Sequence, residues 1–140
     1  MKIKIKKLKE NAKLPNYAHP GDVGMDLYSM ETVIIKPMEH HRFFHGFALE
    51  FPEGNAGIIM DKSSISKAGL IHMGGVFDAG YRGEYNTHLV NLGSEPYTVE
   101  EGDKVSQLVI VPVTIAEIEE TDTLSDSARG MGAFGSTGRK

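Results

Sequence analysis

Short runs of apolar and β-branched residues, separated by turn-forming residues, make up most of the chain. Sixteen glycines and six prolines punctuate the sequence between these runs. Many short strands with frequent turns are typical of a β-sandwich or a jelly roll, and we therefore predict an all-β fold. The runs with strand character are Lys2–Lys6, Thr32–Ile35, Phe43–Phe51, Tyr85–Val90 and Val105–Val113.

Helical periodicity is weak along the whole sequence, because no window of about a dozen residues combines a helical pattern with caps at both ends. The segment Ser63–Leu70 is predicted to form one or two helical turns. Ser63 or Ser64 would be its N-cap, since a serine hydroxyl accepts a hydrogen bond from the first free backbone N–H groups.

Composition limits the class of protein. A chain of 140 residues suits one domain, and 40% hydrophobic with 24% charged residues is ordinary for a globular protein. The chain has no cysteine, which excludes disulfides, thiolate metal sites and a cysteine nucleophile, and which is compatible with a cytoplasmic location. The scattered histidines lack the spacing of a zinc site.

The charge pattern argues against a nucleic-acid or membrane partner. The net charge is −4, and the one dense basic run, Lys2–Lys9, alternates with Ile3, Ile5 and Leu8. This alternation favours a strand with a solvated lysine face over a binding patch. No signal peptide or membrane-spanning stretch is recognisable, so we expect neither a membrane nor nucleic acid as a partner.

The segment Gly75–Glu84 carries a candidate catalytic carboxylate. Asp78 lies between an apolar pair and a glycine-containing turn, which predicts a β-hairpin with the carboxylate at its bend. An aspartate in a turn usually only forms the turn, and an aromatic such as Tyr81 usually packs. Three residues apart on a hairpin, however, the two side chains can face one cavity.

Three further segments carry groups that suit a phosphate and a metal. Lys62 precedes Ser63 and Ser64 at a predicted helix start, which is a favourable place for phosphate. Asp26 lies in a glycine-containing turn, and Mg²⁺ accepts one carboxylate when phosphate oxygens complete its ligands. Gln107 has an amide N–H to donate. Taken singly, each also fits a plain cap, a turn or a solvated side chain.

Residues 121–140 differ from the rest, because they are polar and end in a glycine-rich run. Glycine brings no side chain to a core and loses much backbone entropy on ordering, so we predict a flexible C-terminal arm after a β core of residues 1–120. Arg129 and Phe134 interrupt the glycines. The arm is either a plain tail or a segment that orders over a ligand, with Arg129 on phosphates and Phe134 on a ring.

In order and spacing these segments resemble the five motifs of the trimeric dUTPase family, along almost the whole chain. The third and fifth are the most specific. The five segments are Gly21–Tyr28, Lys62–Gly69, Gly75–Glu84, Gly102–Leu108 and Arg129–Gly138. The resemblance implies a jelly-roll-like subunit, a homotrimer with active sites at subunit boundaries, and Mg²⁺-dependent hydrolysis of dUTP to dUMP and pyrophosphate.

The resemblance also implies a role for each matching residue. Asp78 would activate the attacking water, and Tyr81 would lie under the deoxyribose and leave no room for a 2′-hydroxyl. The backbone from His72 to about Tyr85, with Gly75 inside it, would bind the uracil edge. Asp26 would hold Mg²⁺ through water.

The remaining roles concern the phosphates and closure of the site. Phe134 would stack on uracil. Phosphate contacts and closure would come from Lys62, Ser63, Ser64, Gln107, Arg129, Gly135, Ser136 and Thr137.

This chain departs from the family pattern at several positions. Lys62 stands where the family usually has arginine, and lysine keeps the charge without the bidentate geometry. Phe77 replaces a smaller aliphatic residue, Asp61 adds a negative charge, Met131 and Ala133 alter the arm, and the role of His72 is open.

Three other functions compete with dUTP hydrolysis. A dCTP deaminase would need glutamate where this chain has His88. A non-catalytic binding or regulatory protein on the same scaffold would have little use for a complete fifth motif. A plain β-sandwich interaction domain would explain the strands but not the order of the motifs.

Overall fold

The computed structural model describes residues 1–133 of the chain. Within this range the backbone forms eleven strands and one short helix, so the prediction of an all-β fold is confirmed. No helix in these residues has the length and apolarity needed to cross a bilayer. The elements are β1 Lys4–Lys7, β2 Met25–Tyr28, β3 Val33–Ile35, β4 His40–Phe44, β5 Phe47–Glu50, β6 Asn55–Met60, α1 Ser63–Lys67, β7 Leu70–His72, β8 Val76–Asp78, β9 Asn86–Asn91, β10 Tyr97–Val99 and β11 Lys104–Pro112.

The strands pair antiparallel in four small sheets. The largest has the order β2-β11-β6-β8, and the next has the order β4-β9-β7. Two strand pairs, β1-β5 and β10-β3, complete the arrangement. Strands that are neighbours in a sheet are mostly distant in sequence, so the fold depends on long-range pairing.

Two clusters of buried side chains form the core. One lies against the four-stranded sheet and includes Leu27, Phe47, Ile59 and Leu108. The other lies against the three-stranded sheet and includes Phe43 and Leu89. Strand β9 shows how the second cluster forms, because its residues alternate between buried and half-buried and so give the sheet one core face and one outer face.

The predicted strands are present, with one correction. The run Phe43–Phe51 is not one strand, because β4 and β5 belong to different sheets. Gly46 separates them with a φ of 71°, a left-handed conformation that ends the extended backbone. His45 and Phe47, on either side of this turn, are both buried. The sequence therefore has no exposed polar residue there to indicate that one strand ends and another begins.

The helix prediction needs two corrections. Helix α1 ends at Lys67 and not at Leu70, because Gly69 has a φ of 90° and β7 begins at Leu70. The N-cap is Lys62, and no side chain caps the first turn, so the assignment of Ser63 or Ser64 as N-cap was wrong.

The predicted hairpin around Asp78 was also wrong in its pairing. Asp78 ends β8, and its carbonyl accepts a hydrogen bond from the Tyr81 amide at 3.0 Å, so a turn does follow the carboxylate. Strand β8, however, pairs with β6, whereas β9 pairs with β4 and β7. The chain therefore crosses from one sheet to the other at this turn.

Candidate active site

A cavity of about 300 Å³ opens beside Asp78. One wall is the segment from Met73 to Asp78, and Tyr81 closes one side. The other wall is the outer face of β4 and β9, which contributes Arg42, Asn86 and His88. The cavity thus brings together three residues that the sequence singled out: Gly75, Asp78 and Tyr81.

Close backbone contacts hold the wall that contains Gly75. The Gly75 carbonyl accepts a hydrogen bond from the Ile59 amide at 2.8 Å, and the Met73 amide donates to the His88 carbonyl at 2.7 Å. Gly75 has a φ of 145°, and a Cβ atom on it would lie 2.7 Å from Cβ of Ile59. Glycine is therefore required here by both conformation and space.

Asp78 presents its carboxylate at the mouth of this cavity. The residue is exposed, and its side chain forms no hydrogen bond with any other residue in the range 1–133. A carboxylate without a protein partner has its oxygen lone pairs available for water or a ligand.

Stacked aromatic rings support Tyr81 from below. The Phe77 ring lies 5.5 Å from the Tyr81 ring and stacks on Tyr85 at 4.1 Å with an interplanar angle of 17°. The Tyr81 hydroxyl donates to the Glu84 carbonyl at 3.2 Å. Phe77, noted in the sequence as a departure, therefore fills the floor beneath Tyr81.

A second cavity, of about 360 Å³, contains the candidate phosphate and metal residues. Asp26 lies in the wall of this cavity, and its side chain is 4% exposed. The Lys62 ammonium donates to Oδ1 of Asp26 at 3.0 Å, and the Lys104 ammonium lies 2.6 Å from Oδ2 as an ion pair outside hydrogen-bond geometry. Burial raises the pKa of Asp26, but the ammonium groups of Lys104 and Lys62 outweigh this effect and hold the pKa below its usual value.

The amide side chain of Gln107 completes this second cavity. Gln107 lies opposite Asp26 in the β11-β2 register, and its side chain packs on Gly24, where a Cβ atom would collide with Oε1 of Gln107. An adjoining cavity of about 280 Å³ is lined by Ser64, Lys62 and Lys104, while Ser63 is an exposed residue at the start of α1.

The residues around Asp26 fit Mg²⁺ held through water but not a cage of protein ligands. No group of three His, Cys, Asp or Glu side chains in residues 1–133 is arranged to hold a metal ion. Asp26 is ionised, as an outer ligand needs to be, but its oxygens already face two ammonium groups at close range, which leaves room for Mg²⁺ only through water. Mg²⁺ keeps several waters and takes phosphate oxygens as ligands, so this site suits a metal that arrives with a polyphosphate.

Asp78 and Gln107, one from each cavity, lie beside opposite parts of β6. Asp78 pairs with Ala56 at one end, and Gln107 pairs with Met60 at the other. The two pairs are four positions apart along β6, which corresponds to about 13 Å. One chain therefore does not bring Asp78 and the Lys62 group to the same place.

Asp61 and His72 form a pair of their own. Oδ1 of Asp61 accepts hydrogen bonds from both the His72 amide and the His72 ring Nδ1, each at 2.8 Å. This arrangement accounts for the negative charge of Asp61, which ties the end of β6 to β7. His72 does not line the cavity beside Asp78.

Arg129, the candidate arm residue that the structure describes, lines neither cavity. Arg129 is exposed in a turn, where its Nε donates to the Gly132 carbonyl at 3.0 Å. The other four predicted arm residues lie outside the described residues, and they are Phe134, Gly135, Ser136 and Thr137.

No site role in dUTP hydrolysis was predicted from the sequence for Lys104, Arg42, Asn86 or His88, although all four line these cavities. Lys104 follows Gly102 inside a segment already singled out, so its position in that segment was an available signal. Arg42, Asn86 and His88 enter the cavity beside Asp78 only through the pairing of β4 with β9, which no local pattern indicates.

Comparison with known proteins places these features in a family. The family model described as dUTPase matches residues 10–138. The chain is similar to the deoxyuridine 5′-triphosphate nucleotidohydrolase of Clostridium tetani (strain Massachusetts / E88), with 46% identity over 98% of this chain and 97% of the relative.

Solved structures show the same fold. A mutant dUTPase of Staphylococcus bacteriophage 80alpha with dUpNHpp aligns with a TM-score of 0.90 and 29% identity, over 98% of both chains. A mutant dUTPase from phage phi11 of S. aureus, described with the coordination of a structural Mg(II) ion, aligns with a TM-score of 0.82 and 27% identity, over 90% of this chain and 100% of the other. The expected jelly-roll-like fold is confirmed by these alignments.

Proposed function

The chain belongs to the dUTPase family and hydrolyses dUTP, and on this premise we propose that the cavity beside Asp78 holds the deoxyuridine part of the substrate and that Asp78 activates the attacking water. The observation that carries the proposal is the meeting of Asp78, Tyr81 and Gly75 in one cavity. Its volume, about 300 Å³, leaves room for a pyrimidine ring and a sugar.

Asp78 would act as a general base. Its carboxylate is exposed at the cavity mouth and engages no other described side chain, so it can accept a hydrogen bond from water and take its proton. The water would attack the α-phosphorus of dUTP, with dUMP and pyrophosphate as products. Attack requires the water to lie in line with the leaving pyrophosphate oxygen, and the Asp78 carboxylate, carried on the end of β8, would orient that water.

The cluster of Asp26, Lys62 and Lys104 would receive the triphosphate. The two ammonium groups supply positive charge, and the amide of Gln107 and the hydroxyl of Ser64 supply further donors in the same region. Asp26 would hold Mg²⁺ through water, and the ion would supply positive charge that offsets the charge of the phosphates.

A homotrimer would bring the two groups of residues together. Within one chain, Asp78 and Gln107 lie at opposite ends of β6, about 13 Å apart along the strand. A site at the boundary of two copies would join the Asp78 cavity of one to the Lys62 cluster of the other, with the arm of the third copy closing over the substrate.

Selectivity for the substrate would come from both ends of the first cavity. The Tyr81 ring, supported by Phe77, would exclude a 2′-hydroxyl and so discriminate against UTP. Backbone groups near Gly75 would pair with the uracil edge, and a partner with the wrong pattern of donors and acceptors would leave buried groups unsatisfied.

The competing functions have less support. His88 lines the cavity at the position where a dCTP deaminase would need glutamate, and imidazole does not replace a carboxylate in that proton transfer. A purely regulatory protein would not require the unpartnered Asp78 carboxylate to face a cavity of nucleoside size.

Product analysis with four nucleotides tests the proposed function. Purified protein is incubated with Mg²⁺ and, separately, dUTP, dCTP, dTTP and UTP. We expect dUMP and pyrophosphate from dUTP and no turnover of the other three. Release of deoxyuridine products from dCTP would identify a deaminase, and a folded protein without any turnover would identify a binding protein on this scaffold.

A further inference from the structure

The ring of Tyr81 rests on a group of aromatic rings that reaches into the core. Tyr85 stacks on Phe47, with ring centroids 5.7 Å apart and an interplanar angle of 21°, and more closely on Phe77, at 4.1 Å. Tyr81 lies against the outer part of this group, with its ring tilted at 5.5 Å from Phe77 and at 5.9 Å from Tyr85. Tyr85 is therefore the ring that pairs with each of the other three.

The position of Tyr85 is set by the core and not by the cavity. Its side chain is fully buried, and Tyr85 is not among the residues that line the cavity beside Asp78. The Tyr85 amide donates to the Phe47 carbonyl at 2.9 Å, and the Tyr85 carbonyl accepts from the His45 amide at 3.0 Å. These backbone bonds tie Tyr85 to the turn between β4 and β5, so it offers Tyr81 a support with little freedom to move.

Tyr81, by contrast, has one side open to the cavity, and its ring is 38% exposed. Its hydroxyl end is confined by the backbone, because the hydroxyl donates to the Glu84 carbonyl and a Cβ atom at Gly83 would collide with it. The rest of the ring has no such anchor. How far it projects into the cavity therefore depends on the rings beneath it, which are those of Phe77 and Tyr85.

The support comes from the ring of Tyr85 and not from its hydroxyl. The hydroxyl is buried and has no hydrogen-bond partner within residues 1–133. Burial raises the pKa of Tyr85 to about 12, so the side chain is neutral at pH 7. A buried hydroxyl without a partner lowers stability, whereas the flat face of the ring is what Phe77 and Tyr81 contact.

We propose that Tyr85 is a positioning residue for sugar selectivity, which holds the rings of Phe77 and Tyr81 at the height where a 2′-hydroxyl does not fit. The inference rests on the proposed function, in which Tyr81 lies under the deoxyribose. Ribose differs from deoxyribose there by one oxygen atom, so exclusion by contact depends on the position of the Tyr81 ring to within about 1 Å. Tyr85 acts only through the other two rings and touches no substrate atom.

The test compares Tyr85→Leu, which removes the flat ring, with Tyr85→Phe, which keeps the ring and removes only the hydroxyl. Tyr85→Met fills more of the space without a flat face, and it carries the test if Tyr85→Leu does not fold. Phe43→Leu is the matched control, because it removes a buried ring from the other core cluster. For each protein we measure kcat/KM for dUTP and for UTP, and the dissociation constants of dUMP and UMP.

We expect Tyr85→Leu and Tyr85→Met to lower the ratio of kcat/KM for dUTP to that for UTP by about tenfold or more, since a Tyr81 ring that settles by about 1 Å no longer excludes the hydroxyl. The preference for dUMP over UMP should fall in the same way. Tyr85→Phe and Phe43→Leu should keep the wild-type ratios, even where the control loses stability.

Three results would overturn the inference. The first is an unchanged ratio in both Tyr85→Leu and Tyr85→Met, which includes equal losses for dUTP and UTP. The second is the same fall in Phe43→Leu, because the effect would then follow any loss of a buried ring. The third is the same fall in Tyr85→Phe, which would assign the effect to the hydroxyl.

The two proposals fail in different ways. If the wild type does not hydrolyse dUTP, or if replacement of Asp78 leaves turnover intact, the proposed function is wrong. Binding of dUMP and UMP needs no turnover, so the preference between them still tests Tyr85 in that case. If the wild type is active, requires Asp78 and prefers dUTP to UTP, while Tyr85→Leu keeps that preference, the inference about Tyr85 alone is wrong.

Discussion

The Lys62 ammonium donates a hydrogen bond to Oδ1 of Asp26 at 3.0 Å, and the Asp26 side chain is 4% exposed. Lys62, which is expected to bind a substrate phosphate, is thus also one of the two cationic partners of the buried Asp26 carboxylate. The two roles are coupled, because any change at Lys62 alters both the charge offered to phosphate and the compensation of Asp26.

Replacing Lys62 should therefore affect binding and stability together. We expect Lys62→Met to raise the KM for dUTP about tenfold and to lower the free energy of unfolding by about 1–3 kcal/mol, since Asp26 keeps Lys104 as its remaining partner. Lys62→Arg should keep the pair with Asp26 and bind phosphate at least as well. Steady-state kinetics measure the change in KM, and urea denaturation measures the change in stability. The exposed Lys67→Met is the control. If Lys62→Met has the same KM and the same stability as this control, Lys62 is not part of the site.

The carboxylate of Asp78 should matter for turnover and not for binding. Asp78→Asn keeps the shape of the side chain and removes its capacity to take a proton, so we expect dUTP binding to stay nearly intact and turnover to fall at least ~10²-fold. Single-turnover kinetics and calorimetric binding of a non-hydrolysable analogue separate the two quantities. The exposed Glu53→Gln serves as the charge-matched control, and near-normal turnover of Asp78→Asn would exclude Asp78 as the base.

A strand was predictable from the sequence when it is long and apolar, and was not predictable when it is short and its position depends on pairing with another segment. The strand at Lys104–Pro112 was recognisable because it is a long, mostly apolar run in the middle of a sheet. Strands β7 and β8, by contrast, have three residues each, and glycines with positive φ lie between them, so neither gives a periodic signal. Their pairing is set by β9 and β6, which are remote in sequence.

In the candidate site, too, residues of one local segment were predictable, and residues brought in by strand pairing were not. Asp78, Tyr81 and Gly75 were predicted to act together, and they do share a cavity, because they lie within one short segment. Arg42 carries no signal in its own neighbourhood and enters that cavity only through the β4-β9 register. Lys104 could have been found from the sequence, but its contact with Asp26 depends on the pairing of β11 with β2.

A side chain at Gly75 should displace the cavity wall. In Gly75→Ala the new Cβ would meet Ile59 at 2.7 Å, with a φ of 145° that alanine rarely adopts. We expect a loss of about 2 kcal/mol in the free energy of unfolding and a raised KM for dUTP. In Gly80→Ala the added methyl group has no neighbour within 4 Å, so its stability should stay within ~0.5 kcal/mol of the wild type. Equal stability of the two variants would show that the wall adjusts freely.

Removal of the arm should separate assembly from activity. A protein that ends before Arg129 retains every strand found in residues 1–133, since the last of these ends at Pro112. We expect this truncated protein to keep the proposed trimer in analytical ultracentrifugation while losing most dUTP turnover, because the proposed closure of the arm would order the phosphates and exclude bulk water. Dissociation of the truncated protein into monomers would instead identify the arm as an element of the assembly.

Acid should destabilise the fold through His45, which is 1% exposed. Nδ1 of His45 lies 2.8 Å from the Tyr28 carbonyl, which only accepts, so Nδ1 carries the proton and Nε2 accepts from the Thr87 hydroxyl at 2.9 Å. Thr87 in turn accepts from the Ser106 hydroxyl at 2.5 Å, so the tautomer of His45 fixes the direction of the whole chain of hydrogen bonds between β2, β9 and β11. Protonation at Nε2 would remove the acceptor on which this chain ends.

Burial is the largest influence on this imidazole and lowers the pKa of His45 from 6.5 to about 4. The unfolded chain therefore binds a proton at higher pH than the folded one, and the contribution of neutral His45 is complete above pH 6.5 and is lost as the pH falls towards 4. The difference corresponds to about 3 kcal/mol. In His45→Gln the amide can still donate to Tyr28 and accept from Thr87, but it does not titrate. Between pH 7.5 and 4.5 the free energy of unfolding in urea should therefore fall less in this variant than in the wild type. The exposed His19→Gln is the control and should behave as the wild type. The same loss in all three proteins would mean that carboxylates, and not His45, set the acid limit of the fold.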